Sequence, residues 1–495
     1  MPAAGSELLP NLPPVYRVAF RWTVIGVLTL VAFWPSFDSL MEETFSGAIV
    51  GYVLAIPFLT LVAAQGVARR RDAELPIHDR QTDLIVGFMG MVLALLVKGV
   101  LLERYADQYH LLRLDMLAMW LFVVSASVTM FGLRPVARFA WVWLLLLAAF
   151  PIGFRILVIS LGGTRYAAGF VMVLLAAAAT ALAVGRTRRR GFVGAAATAV
   201  LGSAIVLGMM LLFPDARVIA YELIPSLTAT SVVCSVMYLS SRRGETKAPF
   251  NGPINSLSAK TIQLAGALVL VFAVLLALIS PPTSSAPPVY REDALEFGTP
   301  LIAPTGWQTT DTSEFDFVKR FFGRDSTLIR QYMTAEEGNP AWDKLSRPRT
   351  VVVDSVTSPS PVSFTVYPDS VIYDMKAVRT SEGREVDLGN GVVGEMFTVI
   401  DDTLHVTWTK LTWTWRNKSQ AQRVTLLTVD NHDPGAPFPE PEDALVSNLN
   451  TVFMVLIRGN SVATDDDPDF KDAGLLTVFG RDLVATQLAA ATESS

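Results

Sequence analysis

The sequence predicts a polytopic α-helical membrane bundle of about nine spans, followed by an extracytoplasmic α+β domain. Three observations predict it. Of 495 residues, 51% are hydrophobic and 17% charged, and the mean hydropathy is +0.42, too apolar for an ordinary soluble chain. Up to Ser280 the apolar residues fall in stretches of roughly twenty, the length that crosses about 30 Å of hydrocarbon at about 1.5 Å per residue. The short loops between them alternate in charge, with thirteen Arg and Lys in one set and four in the other, and positively charged short loops stay cytoplasmic.

Residues 1–17 carry Pro10, Pro13 and Pro14 and one basic residue. No small-residue cleavage site follows the first apolar run, so these residues are expected as a cytoplasmic tail before a retained signal anchor. The spans, within 18–280, are expected at 18–34, 47–65, 84–102, 114–131, 139–161, 167–184, 192–213, 221–239 and 261–279. The fifth contains Pro151, Gly153 and Arg155, which a helix buried in a bundle tolerates. The basic loops are "VARRRDAELPIHDR", "LRPVAR", "RTRRR" and "SRRGETK"; the others are "FDSLMEETFS", "ERYADQYHLLR", "GGTRY" and "PDARVIAYE". This bias puts the N-terminus inside and the C-terminal domain outside.

Residues 281–294, around "SPPTSSAPPVYRED", read as a proline- and serine-rich spacer. The domain at 295–484 shows β-branched or alternating runs bounded by turn residues: "TVVVDSV", "VSFTVYP", "SVIYDMKAV", "GEMFTVID", "TLHVTWTKLTWTW" and "RVTLLTV". Helices are expected at "FDFVKRFFG" and near "ALVSNLNTVFMVLIRG". In "LHVTWTKLTWTW", simple alternation puts Val406 and Trp408 on one face and Leu411, Trp413 and Trp415 on the other. A one-residue bulge near Lys410 would return all five to one face. Residues 485–495 read as a loose tail.

A net charge of −5 gives no basic surface for nucleic acid, since the basic residues serve topology. A single cysteine excludes an intramolecular disulfide and any multi-cysteine metal site. "TDDDPDF" lacks the spacing and glycine of a calcium loop, so no metal or cofactor is expected, and the bilayer is the one partner composition itself names.

Ionisable residues inside apolar runs are informative, because a charge in lipid costs several kcal/mol unless a polar cavity or partner meets it. Lys98, Asp115, Arg155 and Glu222 fall at one depth, near the outer ends of their helices. Two readings stand: a polar outward-facing pocket of two cations and two carboxylates, or side chains snorkelling to the headgroups. Cys234 lies roughly 20 Å below the outer edge of its helix and 10 Å above the inner one at about 1.5 Å per residue, in surroundings that disfavour a thiolate. Among the histidines, His78 and His110 fall in loops, and His405 and His432 in the outer domain. His432, between Asp430 and Asp433, reads either as a metal or acid/base cluster or as a turn of Asx type. In the first outer loop Asp38, Glu42 and Glu43 form an acidic group of the kind used by lipid-linked transferases, where a carboxylate could bind a metal or act as a base.

The stretches "LVAFWPSFDSL", "AIVGYVLAIPFL" and "LDMLAMWLFVVSASVTMFGLRPVARFAWVWLLLLAAFPI", with Gly132 and Arg134 at a turn and Pro151 ending the next apolar helix, resemble the N-terminal half of exosortases and archaeosortases. "TGWQTTD" followed by "LIRQYM" resembles the start of the exosortase-associated domain. The resemblance implies a multi-span envelope protein whose relatives process exported proteins bearing a C-terminal sorting helix, using a cysteine, an arginine and a histidine. Here Cys234 is followed by Ser235 and then Val236, where the family pattern has Cys-Ser-Gly. Cys234 and Arg155 are the candidate catalytic residues, and Lys98, Asp115 and Glu222 the candidate substrate-binding residues. Two functions follow as expectations. One is a non-catalytic relative that binds or escorts an exported protein or envelope polymer. The other is an enzyme, either a cysteine transpeptidase or protease acting on sorting signals, or a lipid-linked transferase.

Overall fold

The computed structural model describes residues 14–45, 47–70, 80–241, 259–282, 289–373, 378–433, 435–444, 464–465 and 467–494. The chain divides into two compact units, 1–284 and 285–495.

The described residues of the first unit are helical, joined by short turns. Six of its helices are long and apolar enough to cross a membrane: Gly51–Ala68, Arg80–Arg104, Leu114–Phe131, Arg165–Val184, Arg188–Leu212 and Val218–Ser240. Two further stretches are broken. Tyr16–Ala32 turns by 73° into Trp34–Phe45, and Ala140–Leu147 turns by 65° into Ile152–Ser160, so the described residues hold up to eight spans if each bent pair is one. Gln263–Ala277 is apolar but shorter. Proline explains both breaks: Pro35 and Pro151 have no N–H to give the preceding turn, and each sits at the start of the helix that follows.

The expected first outer loop is therefore a helix. Trp34–Phe45 buries Ser36, Leu40, Glu43 and Thr44, a stripe at helical spacing, and exposes Trp34 and Phe45. Arg165–Val184 is central, packing against Arg188–Leu212, Val218–Ser241 and Ile56–Ala68. The last contact needs a glycine, because a Cβ on Gly66 would stand 2.1 Å from the Ala183 carbonyl oxygen. Small residues at such crossings let backbones close where lipid offers no hydrophobic gain from association.

The second unit is an α+β domain built on a ten-stranded sheet. Its strands are β1 (Tyr290–Arg291), β2 (Trp307–Phe315), β3 (Thr327–Ala335), β4 (Thr350–Ser358), β5 (Val378–Ser381), β6 (Arg384–Asp387), β7 (Val393–Asp401), β8 (Val406–Arg416), β9 (Ala421–Val429) and β10 (Thr464–Asp465). The order is β10-β5-β7-β8-β9-β4-β3-β2, with β1 joining β8 in parallel and β6 pairing with β7. The central strand β9 is buried along its whole length, as its near-continuous apolar and threonine pattern requires.

Leu411, Trp413 and Trp415 lie in the main core, with Val424 and Leu426 of β9 and with Leu475, Leu476, Phe479, Leu483 and Val484 of the helix Ala473–Ser494. On β8, Val406, Trp408 and Lys410 take the opposite face, and β8 pairs with both neighbours without a register shift. The strand is two-sided and carries no bulge at Lys410.

Four local expectations change. At 370–378, expected as a strand, Asp369–Val371 forms a single 3₁₀ turn, β5 begins only at Val378, and residues 374–377 lie outside the described residues. Residues 362–368, expected as a strand, form the short helix Val362–Val366 behind Pro361, because proline presets a helical φ at the start. The helix expected at "FDFVKRFFG" shortens to Lys319–Phe322. The supposed loose tail is the C-terminal part of Ala473–Ser494, held to the sheet by the spacing of Leu475, Phe479 and Leu483. Of the helix expected near 444–459, residues 445–459 lie outside the described residues.

Gly480 permits this docking: a Cβ there would meet Leu388 at 3.1 Å and Leu411 at 3.2 Å. Replacing Gly480 with Val is expected to cost about 1–3 kcal/mol through overpacking. Hydrogen exchange along Ala473–Ser494 should rise while exchange in the membrane helices stays unchanged.

Candidate functional site: a buried ion cluster

A group of ionisable side chains meets at one end of the helical unit. Arg113 is its centre. It is fully buried, has a left-handed backbone (φ 48°), and precedes the helix Leu114–Phe131. Its guanidinium donates to the Ser36 carbonyl at 2.9 Å, Ser39 Oγ at 3.0 Å and Glu43 Oε1 at 2.6 Å, and lies 3.2 Å from Asp115 Oδ2. The planar fork of arginine suits such divergent acceptors. Asp115 also accepts from the Tyr109 hydroxyl at 3.0 Å, and the Arg113 guanidinium stands over the Tyr109 ring.

Glu43, on the bent helix, joins three cationic or polar partners. His110 Nδ1 is 2.7 Å from its Oε1, Arg113 is 2.6 Å away, and Arg155 is 3.8 Å from its Oε2. Arg155 donates to the carbonyls of His110 and Leu111. Two guanidiniums thus face two carboxylates, and only His110 keeps appreciable exposure, 19% of its side chain. Such a cluster is stable only because nearly every charge has a partner at contact distance.

The candidate residues separate. Asp115 and Arg155 belong to the cluster. Glu222 is fully buried nearby, and both it and Arg155 act electrostatically on Tyr52, which stacks on Phe154 at 3.7 Å. Lys98 neither snorkels nor binds Arg155's partners. A π-helical turn, Val97–Leu101, directs its Nζ to the carbonyls of Ala32 at 2.9 Å and Leu276 at 2.8 Å, above the Phe33 ring. It ties together the ends of Pro14–Ala32 and Ala259–Ala277.

Cys234 is elsewhere. It is half-buried, with the Thr180 hydroxyl as neighbour, and lies twelve residues beyond Glu222 on one helix, on the order of 18 Å. The structure does not bring Cys234 to Arg155 or to His110.

In the sheet unit, His432 does not pair with its sequence neighbours. Its Nδ1 is 2.9 Å from Asp343 Oδ2, and Arg349 lies against its Nε2. Arg349 in turn binds Asp472 at 2.7 Å. With an arginine donating to Nε2, the imidazole proton belongs on Nδ1, facing Asp343. Asp433 pairs with Arg347 at 3.1 Å and Asp430 with Lys471 at 3.0 Å. No trio of metal-ligating side chains occurs among the described residues.

The Arg347 guanidinium holds the Asp343 carboxyl well below the usual range, helped by the Leu345 amide and His432 against the opposing effect of burial. A depressed carboxylate contributes stability above its unfolded pKa of about 3.9 and loses it as pH falls through the folded value. Acidification below about pH 4 is therefore expected to loosen residues 339–349, and Asp343→Asn should remove part of that acid dependence. Hydrogen exchange of this segment against pH reads both.

Arg113 and His110 carry more of the cluster than their position in a short loop suggested. The available sequence signal was the triad of an acidic loop residue, Glu43, and two basic ones in the neighbouring loop. No family model, curated protein or solved structure matches this chain.

Proposed function

We propose that the chain is a non-catalytic relative of the exosortase scaffold, an envelope membrane protein that binds or escorts an exported protein or an envelope polymer. The N-terminus lies in the cytoplasm, the ion cluster at the outer end of the bundle, and the sheet domain on the extracytoplasmic side. The charge bias of the loops supports this orientation. In this reading the sheet domain recognises the partner and the bundle anchors it.

One observation carries the absence of cysteine chemistry. The thiol lies beside the Thr180 hydroxyl, on the order of 18 Å along its own helix from Glu222. Meanwhile Arg113 and Arg155 are engaged by Glu43, Asp115 and backbone carbonyls. Replacing Cys234 with Ala is expected to leave abundance and the phenotype of a complemented null strain unchanged, with a stability change within about 1 kcal/mol. Loss of function at normal abundance would overturn this reading.

The transferase alternative has the Glu43–His110 pair in its favour, since a part-exposed imidazole on a buried carboxylate is a general-base arrangement. His110→Asn distinguishes the two. Under the binding reading it is tolerated; under the transferase reading it abolishes function without lowering abundance.

A further inference from the structure

The arginines at the basic end of the helical unit fall into two groups. One group donates to carbonyls near the C-terminal ends of neighbouring helices, where backbone acceptors run out of donors. Arg21 reaches the Met130 carbonyl at 3.0 Å, Arg80 that of Thr129 at 2.8 Å, Arg190 that of Met237 at 2.7 Å and Arg70 that of Leu182 at 2.5 Å. Arg186, Arg188 and Arg189 have no such work. All three are exposed, and among the described residues no hydrogen bond or ion pair engages their side chains. With Arg190 they put four cations into the five positions 186–190, and no described carboxylate pairs with any of the four. Basic loops set the orientation of helices, but a cation that only sets orientation needs no cavity beside it.

Here there is one. A groove of about 240 Å³, lined by Thr187, Arg189, Arg190, Val193 and Met237, opens between the start of Arg188–Leu212 and the end of Val218–Ser241. A single water needs only about 10–15 Å³ on the same scale. Arg190 gives one of its donors to Met237 and keeps others for a ligand, since a guanidinium carries five N–H groups. Arg69 stands over the ring of Tyr238, the neighbour of Met237, at 5.0 Å and adds a further cation to this end.

The other wall is apolar. Val193 is 51% exposed and Phe192 beside it 75%, and on the facing helix Val236, Tyr238 and Leu239 are also exposed. A small anion would use the arginines and leave this surface idle; an acyl chain would use the surface and leave the arginines idle. An anionic phospholipid uses both, because its phosphate accepts charge-assisted hydrogen bonds from guanidinium while its chains lie along apolar helix faces. Basic pockets between membrane helices suit such headgroups.

We propose that this groove is a specific site for one anionic phospholipid, its phosphate held by Arg189 and Arg190 and its chains laid along Val193 and Met237. The site is independent of what the sheet domain binds, and of whether Cys234 is inert.

The test uses the full chain purified in detergent, stripped of lipid and offered equal amounts of phosphatidylglycerol and phosphatidylcholine in mixed micelles. Native mass spectrometry counts the lipid retained, and thermal unfolding reads its effect on Tm. One phosphatidylglycerol per chain should be retained, with a several-fold preference over phosphatidylcholine and a higher Tm. Arg188→Gln combined with Arg189→Gln should lower retention several-fold while leaving the lipid-free Tm unchanged, because neither side chain has a partner to lose. Arg217→Gln, which removes an exposed arginine outside the groove, should leave retention as it is. Val193→Trp fills the groove from an exposed position and keeps every charge, so it should lose retention as the arginine variant does.

Three results would overturn the proposal. Equal retention of the two lipids would show that the arginines select no headgroup. Full retention in Val193→Trp would assign the attraction to diffuse charge instead of a groove. A Tm rise reproduced by inorganic phosphate, with displacement of the lipid, would make this a site for the free anion.

Discussion

Replacing Arg113 with Ala is expected to destabilise the helical unit by about 3–5 kcal/mol, the cost of breaking a buried pair and stranding its partners. Few substitutions in this unit should cost more. The guanidinium is fully buried and meets Glu43, Asp115, Ser39 and the Ser36 carbonyl. Its loss leaves two carboxylates with diminished compensation and frees the bent helix Trp34–Phe45 from the residues before Leu114–Phe131. Arg113→Lys should recover only part, because a point charge cannot serve acceptors spread around a planar fork. Adding Glu43→Gln and Asp115→Asn to the alanine variant should recover part by another route, since the stranded charges are then gone. Thermal unfolding of the full chain in detergent measures all of these. An alanine variant as stable as the wild type would show that the cluster is solvated rather than closed.

That centre was hard to read from sequence for a physical reason. Lys98, Asp115, Arg155 and Glu222 announce themselves as charges inside apolar runs. Arg113 stands one residue before such a run and looks like an ordinary loop cation. Only its left-handed backbone and the fold of the preceding short helices turn it inward. Glu43 was legible as an acidic residue on the same side as Arg155, but its depth depended on the 73° turn at Phe33, which makes a helix of an expected loop. Proline marked where the chain bends; it did not say that the following segment would cover the bundle end.

The sheet unit divides in the same way. Strands β4, β7, β8 and β9 have β-branched or alternating patterns and occur where expected. Strand β2, "WQTTDTSEF", has little apolar patterning because it is an edge strand, exposed over most of its length. The helix Ala473–Ser494 did carry a helical spacing in Leu475, Leu476, Phe479, Leu483 and Val484. The small and polar residues at its end obscured it, and tertiary docking on Trp413 and Leu411 carries it through.

The second large effect is expected at Asp354, on the sheet face opposite the tryptophan-rich core. Arg330 on β3 and Asp354 on β4 are directly opposed in register. The guanidinium binds the carboxylate through two hydrogen bonds, at 2.8 Å and 2.7 Å, and the Tyr373 hydroxyl donates to the same carboxylate at 2.6 Å. Arg330 and Asp354 are almost completely buried, and burial, then the adjacent carboxylate, raise the Tyr373 phenol well above its ordinary pKa. Asp354→Ala leaves a buried guanidinium with only the distant, exposed Glu440 at 3.8 Å, so a loss of about 3–5 kcal/mol is expected. Asp354→Asn keeps an acceptor but removes the charge, and should cost less. Replacing the trio together, Asp354→Leu with Arg330→Met and Tyr373→Phe, should restore much of the loss, because an apolar trio of similar volume has no charge to desolvate. Hydrogen exchange of β3 and β4 in the full chain distinguishes the cases. Faster exchange in Asp354→Ala, largely reversed in the triple variant, assigns the cost to the stranded cation. Equal exchange in both would mean that the cost comes from packing alone, and that the pair contributes no net electrostatic stability to the sheet.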